Sequence, residues 1–144
     1  MEEIIEGSIG LLMDLIRTQS FSKEEDKTAQ IIDTYLQNHG VKTHRELNNV
    51  WAFNKYFDSS KPTILLNSHH DTVHPNRDYT RDPFNAEIID GKLFGLGSND
   101  AGGCLVSLIG TLLHYYDRQD LKYNFVMAAT AEEEISGLHG LEFV

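Results

Sequence analysis

The sequence predicts an α/β domain, because apolar strand-like runs alternate along it with stretches of helical periodicity. The strand signal is clearest in residues 63–68 and 123–129, two short apolar runs bounded by turn residues. The helical signal is clearest in residues 4–18, where apolar side chains recur at three- and four-residue spacing. These side chains are Ile5, Ile9, Leu12, Met13 and Ile16.

Turn and cap signals predict the remaining elements. Residues 22–25, Ser-Lys-Glu-Glu, match a capping box that would begin a second helix, and Gly40 is a natural stop for it. Residues 41–55 predict two strands separated at Asn48-Asn49, and residues 88–94 predict a hairpin that turns at Asp90-Gly91. A third helix is predicted from residue 100 to about 117, and another from residue 138. Residues 69–90 lack periodicity and predict a long functional loop.

The composition narrows the class of protein. The chain has 144 residues, enough for one domain, and its formal net charge of −10 argues against nucleic acid as a partner. No window approaches the roughly 20 apolar residues that cross a bilayer, so no membrane partner is expected. The single cysteine, Cys104, cannot form an internal disulfide, and we expect it to be buried in the third helix. Together with an acidic start that lacks a secretory signal, these features predict a cytoplasmic protein.

Three polar groups of residues carry the functional signal: His69-His70-Asp71, Ser98-Asn99-Asp100 and Glu132-Glu133-Glu134. The first and the third each follow a predicted strand, and ligands bind at the carboxyl ends of strands in open α/β sheets. Imidazole and carboxylate groups gathered there predict a metal site. Each group alone also has a structural explanation, as a hydrogen-bonded histidine, a helix cap or a solvated acidic turn.

The spacing suggests different tasks for neighbouring side chains. His69 would bind metal, and Asp71, one full pleat further on the same side, could fix its imidazole or a neighbouring group. His70 would point to the opposite face and serve packing or hydrogen bonding. Asp100 could bridge two cations through its two oxygens, while two adjacent glutamates could divide metal binding from proton transfer. The Gly-rich segment around Asp100 matches neither the dinucleotide, the P-loop nor the serine-hydrolase pattern, so those chemistries are rejected.

In this order the motifs resemble the amino-terminal part of the co-catalytic zinc amidohydrolases and exopeptidases. That family includes acetylornithine deacetylase, succinyl-diaminopimelate desuccinylase, aminoacylase and carboxypeptidase G, and the resemblance is greatest to acetylornithine deacetylase. The matching segments are residues 65–73, 82–84, 90–100 and 131–134. The resemblance implies a three-layer α/β/α zinc-exopeptidase-like domain with a mixed central sheet.

The resemblance also implies roles for individual residues. His69 would bind one Zn²⁺, Asp100 would bridge two, and Glu134 would bind the other, with Co²⁺ able to substitute. Glu133 would be the general base of amide hydrolysis, and Asp71 would orient His69. The peptide bond after Asp100 would be cis, and the loop containing residues 82–84 would lie near the pocket. The substrate would be a small N-acyl amino acid of arginine biosynthesis, and the full-length enzyme would be a homodimer.

Several departures from the family pattern leave the subfamily open. Gly-Leu-Gly at residues 95–97 replaces the more usual Gly-Arg-Gly, and Glu132 stands where many relatives have Asp. Only two of the expected ligands would reach each zinc, whereas a catalytic zinc normally holds three. We therefore expect residues 1–144 to be the amino-terminal part of a truncated catalytic domain, without the dimerisation domain and the carboxy-terminal catalytic segment, and with little activity alone. The alternatives are a desuccinylase or dipeptidase of the same family, or a non-catalytic binding module that retains the fold.

Overall fold

The computed structural model describes residues 1–144 as three helices, a four-stranded mixed sheet and a separate two-stranded hairpin. The helices are α1 (Glu2–Arg17), α2 (Asp26–Asn38) and α3 (Cys104–Tyr115). The main sheet contains β1 (Thr43–Glu46), β2 (Asn49–Phe53), β3 (Thr63–His69) and β6 (Asn124–Thr130). The hairpin consists of β4 (Glu87–Ile89) and β5 (Lys92–Phe94). The predicted α/β class with a mixed sheet is confirmed.

The strand order in the main sheet is β1-β2-β6-β3. β1 pairs with β2 and β2 with β6 in antiparallel register, whereas β3 and β6 run parallel. Parallel neighbours need a long crossover connection, and here that connection contains the hairpin and α3. Because His69 lies opposite Thr130, the residues that follow β3 and β6 emerge at the same edge of the sheet.

The hydrophobic core lies between the helices and one face of the main sheet. Val50, Ala52, Met127 and Ala129 are fully buried on this face, where the register pairs Val50 with Ala129 and Ala52 with Met127. Alternate residues of the strands face the other way, and there Leu65 is 50% exposed. The helices therefore form one layer, and the second helical layer of the expected three-layer domain is not among residues 1–144.

Local signals predict most elements correctly. α1, β1, β2, β3 and β6 lie within a few residues of their predicted positions. Asp90 and Gly91 turn the hairpin with φ of 51° and 73°, the left-handed pair typical of a type I′ turn. Gly40, which follows α2, has a left-handed φ of 75°, as a helix stop requires. None of the helices combines the length and the apolar character that a membrane crossing needs.

The predicted capping box is wrong, and so is the predicted start of the third helix. The Ser22 hydroxyl donates to Asp71 Oδ2 at 2.7 Å, and α2 begins at Asp26 without a side-chain cap. A distant acceptor thus outcompetes the local one. α3 begins at Cys104, because Asp100 has φ and ψ of −114° and 103°, which are not helical.

The predictions for Cys104 and for the segment after residue 137 are also wrong. Cys104 is exposed, because Leu105 and Ile109 occupy the buried side of α3. After residue 137 a single 3-10 turn, Leu141–Phe143, replaces the predicted helix. Gly140, which precedes that turn, has φ of −91° and ψ of −134°, so the backbone there cannot be helical.

Candidate metal centre

Three segments meet at the edge of the sheet where β3 and β6 end. β3 ends at His69, and β6 leads into the short turn that carries Glu133 and Glu134. Asp100 comes from the irregular turn Ser98–Gly103 that precedes α3. His69, Asp100 and Glu134 each offer one ligand atom, and these atoms all lie within 4.8 Å of one another. The parallel register of β3 and β6, together with the turn before α3, thus brings together the three residues that the sequence predicts as metal ligands.

The surrounding distances describe an open and acidic site. His69 Nε2 lies 3.2 Å from Asp100 Oδ1 and 3.6 Å from Glu133 Oε2. The His69 side chain is buried, whereas those of Asp100 and Glu133 are 78% and 60% exposed. A pocket of about 270 Å³ adjoins them, lined by Thr72, Val73, Tyr79, residues 95–100 and Glu134. A small molecule in this pocket can therefore reach Asp100 and Glu134.

Asp71 connects His69 to the turn that carries Glu133 and Glu134, called the glutamate turn below. Its side chain is completely buried, and its Oδ1 lies 3.3 Å from His69 Nδ1. The same carboxylate accepts the Ser22 hydroxyl and the backbone N–H groups of Glu133 and Glu134. Burial alone would raise the pKa of Asp71, but these hydrogen bonds, led by that of His69, outweigh it and lower the pKa to about 2. Asp71 is therefore a fixed negative charge behind the imidazole.

His69 and Glu134 both bind protons more tightly than free side chains do. The hydrogen bond to Asp71 raises the pKa of His69 to about 9, although burial acts in the opposite direction. Burial, followed by the charge of Asp100, raises the pKa of Glu134. With a pKa of about 9, His69 holds a proton at neutral pH, and a metal cation would compete with that proton.

His70 is a structural residue, as the sequence predicts. Its ring is buried on the opposite face, where Nε2 donates to the Asn48 carbonyl at 2.8 Å. Its Nδ1 lies 2.9 Å from the Thr28 hydroxyl, which serves as the donor to the neutral ring. Burial lowers the pKa of His70, so the neutral imidazole is favoured.

Only two of the three consecutive glutamates face the site. Glu132 is buried, and its Oε1 lies 3.5 Å from His139 Nδ1, away from His69. Sequence reasoning missed three residues that support this turn: Ser22, Glu25 and Asn49. The local pattern of residues 22–25 indicates a helix cap, and nothing local connects those residues with the glutamates about 110 positions later.

The loop after β3 and the turn before α3 agree in part with what the resemblance implies about the pocket and the peptide bond after Asp100. The peptide bond between Asp100 and Ala101 is cis, as the resemblance implies. The loop after β3 reaches the pocket through Val73 and Tyr79. The segment 82–84 does not line the pocket itself, but it holds Leu96, which does: the Pro83 carbonyl accepts the Leu96 N–H at 2.7 Å.

The class of protein that this fold and site define is the metallo-hydrolases of α/β architecture. A family model described as peptidase family M20/M25/M40 matches residues 65–144. The chain belongs to this family.

Known members are similar to this chain over nearly all of its length. It is 28% identical to succinyl-diaminopimelate desuccinylase from Blochmanniella floridana over 147 residues, which cover 95% of this chain and 38% of that relative. The crystal structure of Sso-CP2, an M20 family metallo-carboxypeptidase from Sulfolobus solfataricus, is similar with a TM-score of 0.74 and 25% identity, over 89% of this chain and 31% of that one. The crystal structure of YxeP from Bacillus subtilis, described as a dinuclear metal-binding peptidase, has the same fold, with a TM-score of 0.71 and 20% identity over 97% of this chain and 38% of that one.

The chain spans less than two-fifths of the length of these three relatives. None of the three is an acetylornithine deacetylase. The comparisons therefore establish the family and leave the subfamily open.

Proposed function

We propose that residues 1–144 carry the amino-terminal part of the active site of a metal-dependent amidohydrolase, which cleaves the amide bond of an N-acyl amino acid. The observation that carries this proposal is the approach of ligand atoms from His69, Asp100 and Glu134 to within 4.8 Å of one another. The site opens into a pocket large enough for a small substrate.

The chemistry of these residues fits a catalytic divalent metal. One imidazole and two carboxylates are ligands that Zn²⁺ and Co²⁺ accept. A metal-binding histidine almost always donates its other ring N–H to an acceptor. Asp71 supplies that acceptor, because His69 Nδ1 lies 3.1 Å from its carbonyl oxygen and 3.3 Å from its Oδ1. His69 Nε2 is thereby directed toward Asp100, on the side of the pocket. We propose Zn²⁺ as the metal, with Co²⁺ as a working substitute.

Each residue at the site has a separate task in this proposal. When bound, the cation lowers the pKa of a water molecule and polarises the scissile carbonyl. Glu133, exposed and 3.6 Å from His69 Nε2, accepts a proton from the attacking water and returns it to the leaving amine. Asp71 acts through His69, because it fixes the ring orientation and holds a negative charge behind it.

We further propose that the complete site holds two metals and that residues 1–144 supply part of their ligands. Asp100 has two carboxylate oxygens and would bridge the metals, with His69 on one and Glu134 on the other. Each metal would then have two protein ligands, one fewer than catalytic zinc normally holds. The dinuclear description of the Bacillus subtilis relative supports this arrangement. A longer catalytic domain and a homodimeric full-length protein remain predictions, as does the cytoplasmic location.

Two acyl groups are candidates for the substrate. The resemblance in the sequence favours N-acetylornithine and arginine biosynthesis, whereas the desuccinylase relative favours N-succinyl-diaminopimelate. Both substrates are N-acylated amino acids with a second charged end, so the same metal chemistry serves either. A dipeptidase and a non-catalytic binding module remain alternatives.

Titration of the 144-residue chain with Co²⁺, followed by calorimetry and visible absorption, tests the metal site. His69→Ala and Asp100→Asn are each expected to weaken binding by at least about 10- to 100-fold, because a ligand is lost. Glu133→Gln should bind Co²⁺ nearly as the parent chain does, because Glu133 serves as the base. His39→Ala removes an exposed surface histidine and is the control for non-specific binding.

If His69→Ala binds Co²⁺ as tightly as the parent chain, the proposed site is wrong and the non-catalytic module is favoured.

Activity is measured on the longest product of the gene, with N-acetylornithine and N-succinyl-diaminopimelate supplied separately. Cleavage of only one of them identifies the acyl group. Cleavage of neither, with Zn²⁺ or Co²⁺ supplied, would reject both substrates.

A further inference from the structure

The turn that carries Glu133 and Glu134 is held by buried side chains from other parts of the chain. From residue 131 to residue 134, four successive backbone N–H groups donate to side-chain oxygens. The acceptors are Asn49 Oδ1 at 3.0 Å for Ala131, Glu25 Oε1 at 3.1 Å for Glu132, and the two carboxylate oxygens of Asp71, each at 3.1 Å, for Glu133 and Glu134. All three acceptor side chains belong to completely buried residues.

Glu25 is a charged acceptor in this set that the proposed mechanism does not use. Its Oε1 also accepts the Lys23 N–H at 2.8 Å, and its Oε2 accepts Asn48 Nδ2 at 2.8 Å. A buried carboxylate is costly unless donors surround it, and its removal leaves those donors unpaired. Three donors from three segments converge on Glu25, so it ties the start of α2 and the β1–β2 turn to the glutamate turn.

The N–H group that Glu25 accepts belongs to a residue with an unfavourable backbone conformation. Glu132 has φ of 55° and ψ of 21°, in the left-handed region that non-glycine residues rarely occupy. Such conformations persist only where surrounding contacts impose them. Here the conformation redirects the chain at the end of β6, so that the Glu132 side chain leaves toward His139 while Glu133 approaches His69.

We propose that Glu25 is a positioning residue for the metal site. By accepting the Glu132 N–H, it fixes the direction in which Glu133 and Glu134 leave the end of β6. Asp71 holds the next two N–H groups, so the two buried carboxylates together hold the whole turn. This inference rests on the proposed function, since it assigns Glu25 a part in the same site.

Four variants of the 144-residue chain test the proposal by Co²⁺ titration. Glu25→Met keeps the length of the side chain but removes every acceptor, and Glu25→Gln restores one acceptor oxygen. Glu24→Gln changes the exposed neighbouring glutamate, and Ile32→Val removes one methylene from the buried face of α2. Loss of a residue that supports metal ligands typically weakens metal binding by about 10- to 100-fold. We expect a loss of about 10-fold for Glu25→Met, with most of it recovered in Glu25→Gln.

The controls separate positioning from general stability. Glu24→Gln is expected to bind Co²⁺ as the parent chain does, and Ile32→Val is expected to melt earlier without weaker binding. The proposal is overturned if Glu25→Met binds Co²⁺ as tightly as the parent chain. It is equally overturned if Ile32→Val weakens binding to the same extent at a similar loss of melting temperature.

Amide hydrogen exchange of the metal-free chain gives a readout that does not depend on metal binding. In Glu25→Met the N–H groups of residues 132–134 should exchange faster than in Ile32→Val. Equal exchange in the two variants would overturn the proposal. If Glu25→Met does not fold, Glu25→Gln is measured in the same way, and an effect confined to residues 132–134 is the expected result. A parent chain that binds no Co²⁺ would reject the proposed function, while the exchange data would still decide the role of Glu25.

Discussion

Metal binding by this chain should depend steeply on pH between about pH 6 and pH 8. His69 must lose its proton before Nε2 can bind a metal, and its pKa is raised to about 9, chiefly by the hydrogen bond to Asp71. For a pKa near that value, the neutral fraction of the imidazole rises about 100-fold between pH 6 and pH 8. For an ordinary histidine, with a pKa of about 6.5, the same change of pH raises it only about 4-fold. Because only the neutral ring competes for metal, the association constant for Co²⁺ should rise by the larger factor.

The assay is calorimetric titration with Co²⁺ at half-unit steps of pH, in buffers of different ionisation enthalpy, so that the released protons are counted. We expect close to one proton released from His69 per Co²⁺ at pH 7 in the parent chain. Asp71→Asn removes the chief cause of the raised pKa of His69. Co²⁺ binding by this variant should therefore depend less steeply on pH, although its affinity for Co²⁺ at pH 8 should be lower than that of the parent chain. An increase of only about 4-fold in the parent chain would show that Asp71 does not hold a proton on His69.

Two further predictions concern stability and the packing that positions the site. Gly102→Ala should destabilise the chain by about 1–3 kcal/mol and weaken Co²⁺ binding, because the new Cβ would lie 2.6 Å from the Gly97 carbonyl oxygen in the turn that carries Asp100. Gly10→Ala is the matched control, since its Cβ meets nothing within 4 Å, and urea unfolding should show a gain of about 0.5–1 kcal/mol. Met127→Ala should cost about 2–5 kcal/mol in the same assay, because Met127 is fully buried against the helices. Leu65→Ala, on the half-exposed opposite face, should cost about 1 kcal/mol, and equal losses for the two would refute the assignment of the faces.

Elements with strong local signals are the ones that the sequence predicts well. The Asp90-Gly91 turn requires two left-handed residues, and few dipeptides other than this one accept them. β3 and β6 are apolar runs too short for helices, so their type follows from length and composition. The number of layers does not follow from such signals. Whether Leu65 meets a helix or solvent depends on parts of the fold that its own neighbours in the sequence do not encode.

The sequence predicts the residues of the candidate site but not the side chains that hold them in place. His69, Asp100 and Glu134 stand out because each is polar and lies either just after an apolar segment or within a glycine-rich turn. Ser22 and Glu25 match the pattern of a helix cap, and nothing in the local sequence contradicts that interpretation. Their actual partners, Asp71 and the Glu132 N–H, are 49 and 107 positions away, so only the tertiary structure pairs them. Contacts of that kind leave no periodicity in the sequence.

Several acidic groups lie close together at this site, and hydrogen bonds stabilise the two that are buried. Asp71 and Glu25 accept backbone and side-chain donors inside the protein, and these hydrogen bonds offset the cost of burying the two carboxylates. Asp100, Glu133 and Glu134 have no such set of donors, and the charge of Asp100 adds to the burial that raises the pKa of Glu134. A divalent cation would balance these charges in place of the proton that Asp71 holds on His69. Metal affinity should therefore respond to any change in how the buried carboxylates hold the turn, whereas a loss of apolar packing far from the site should lower stability alone.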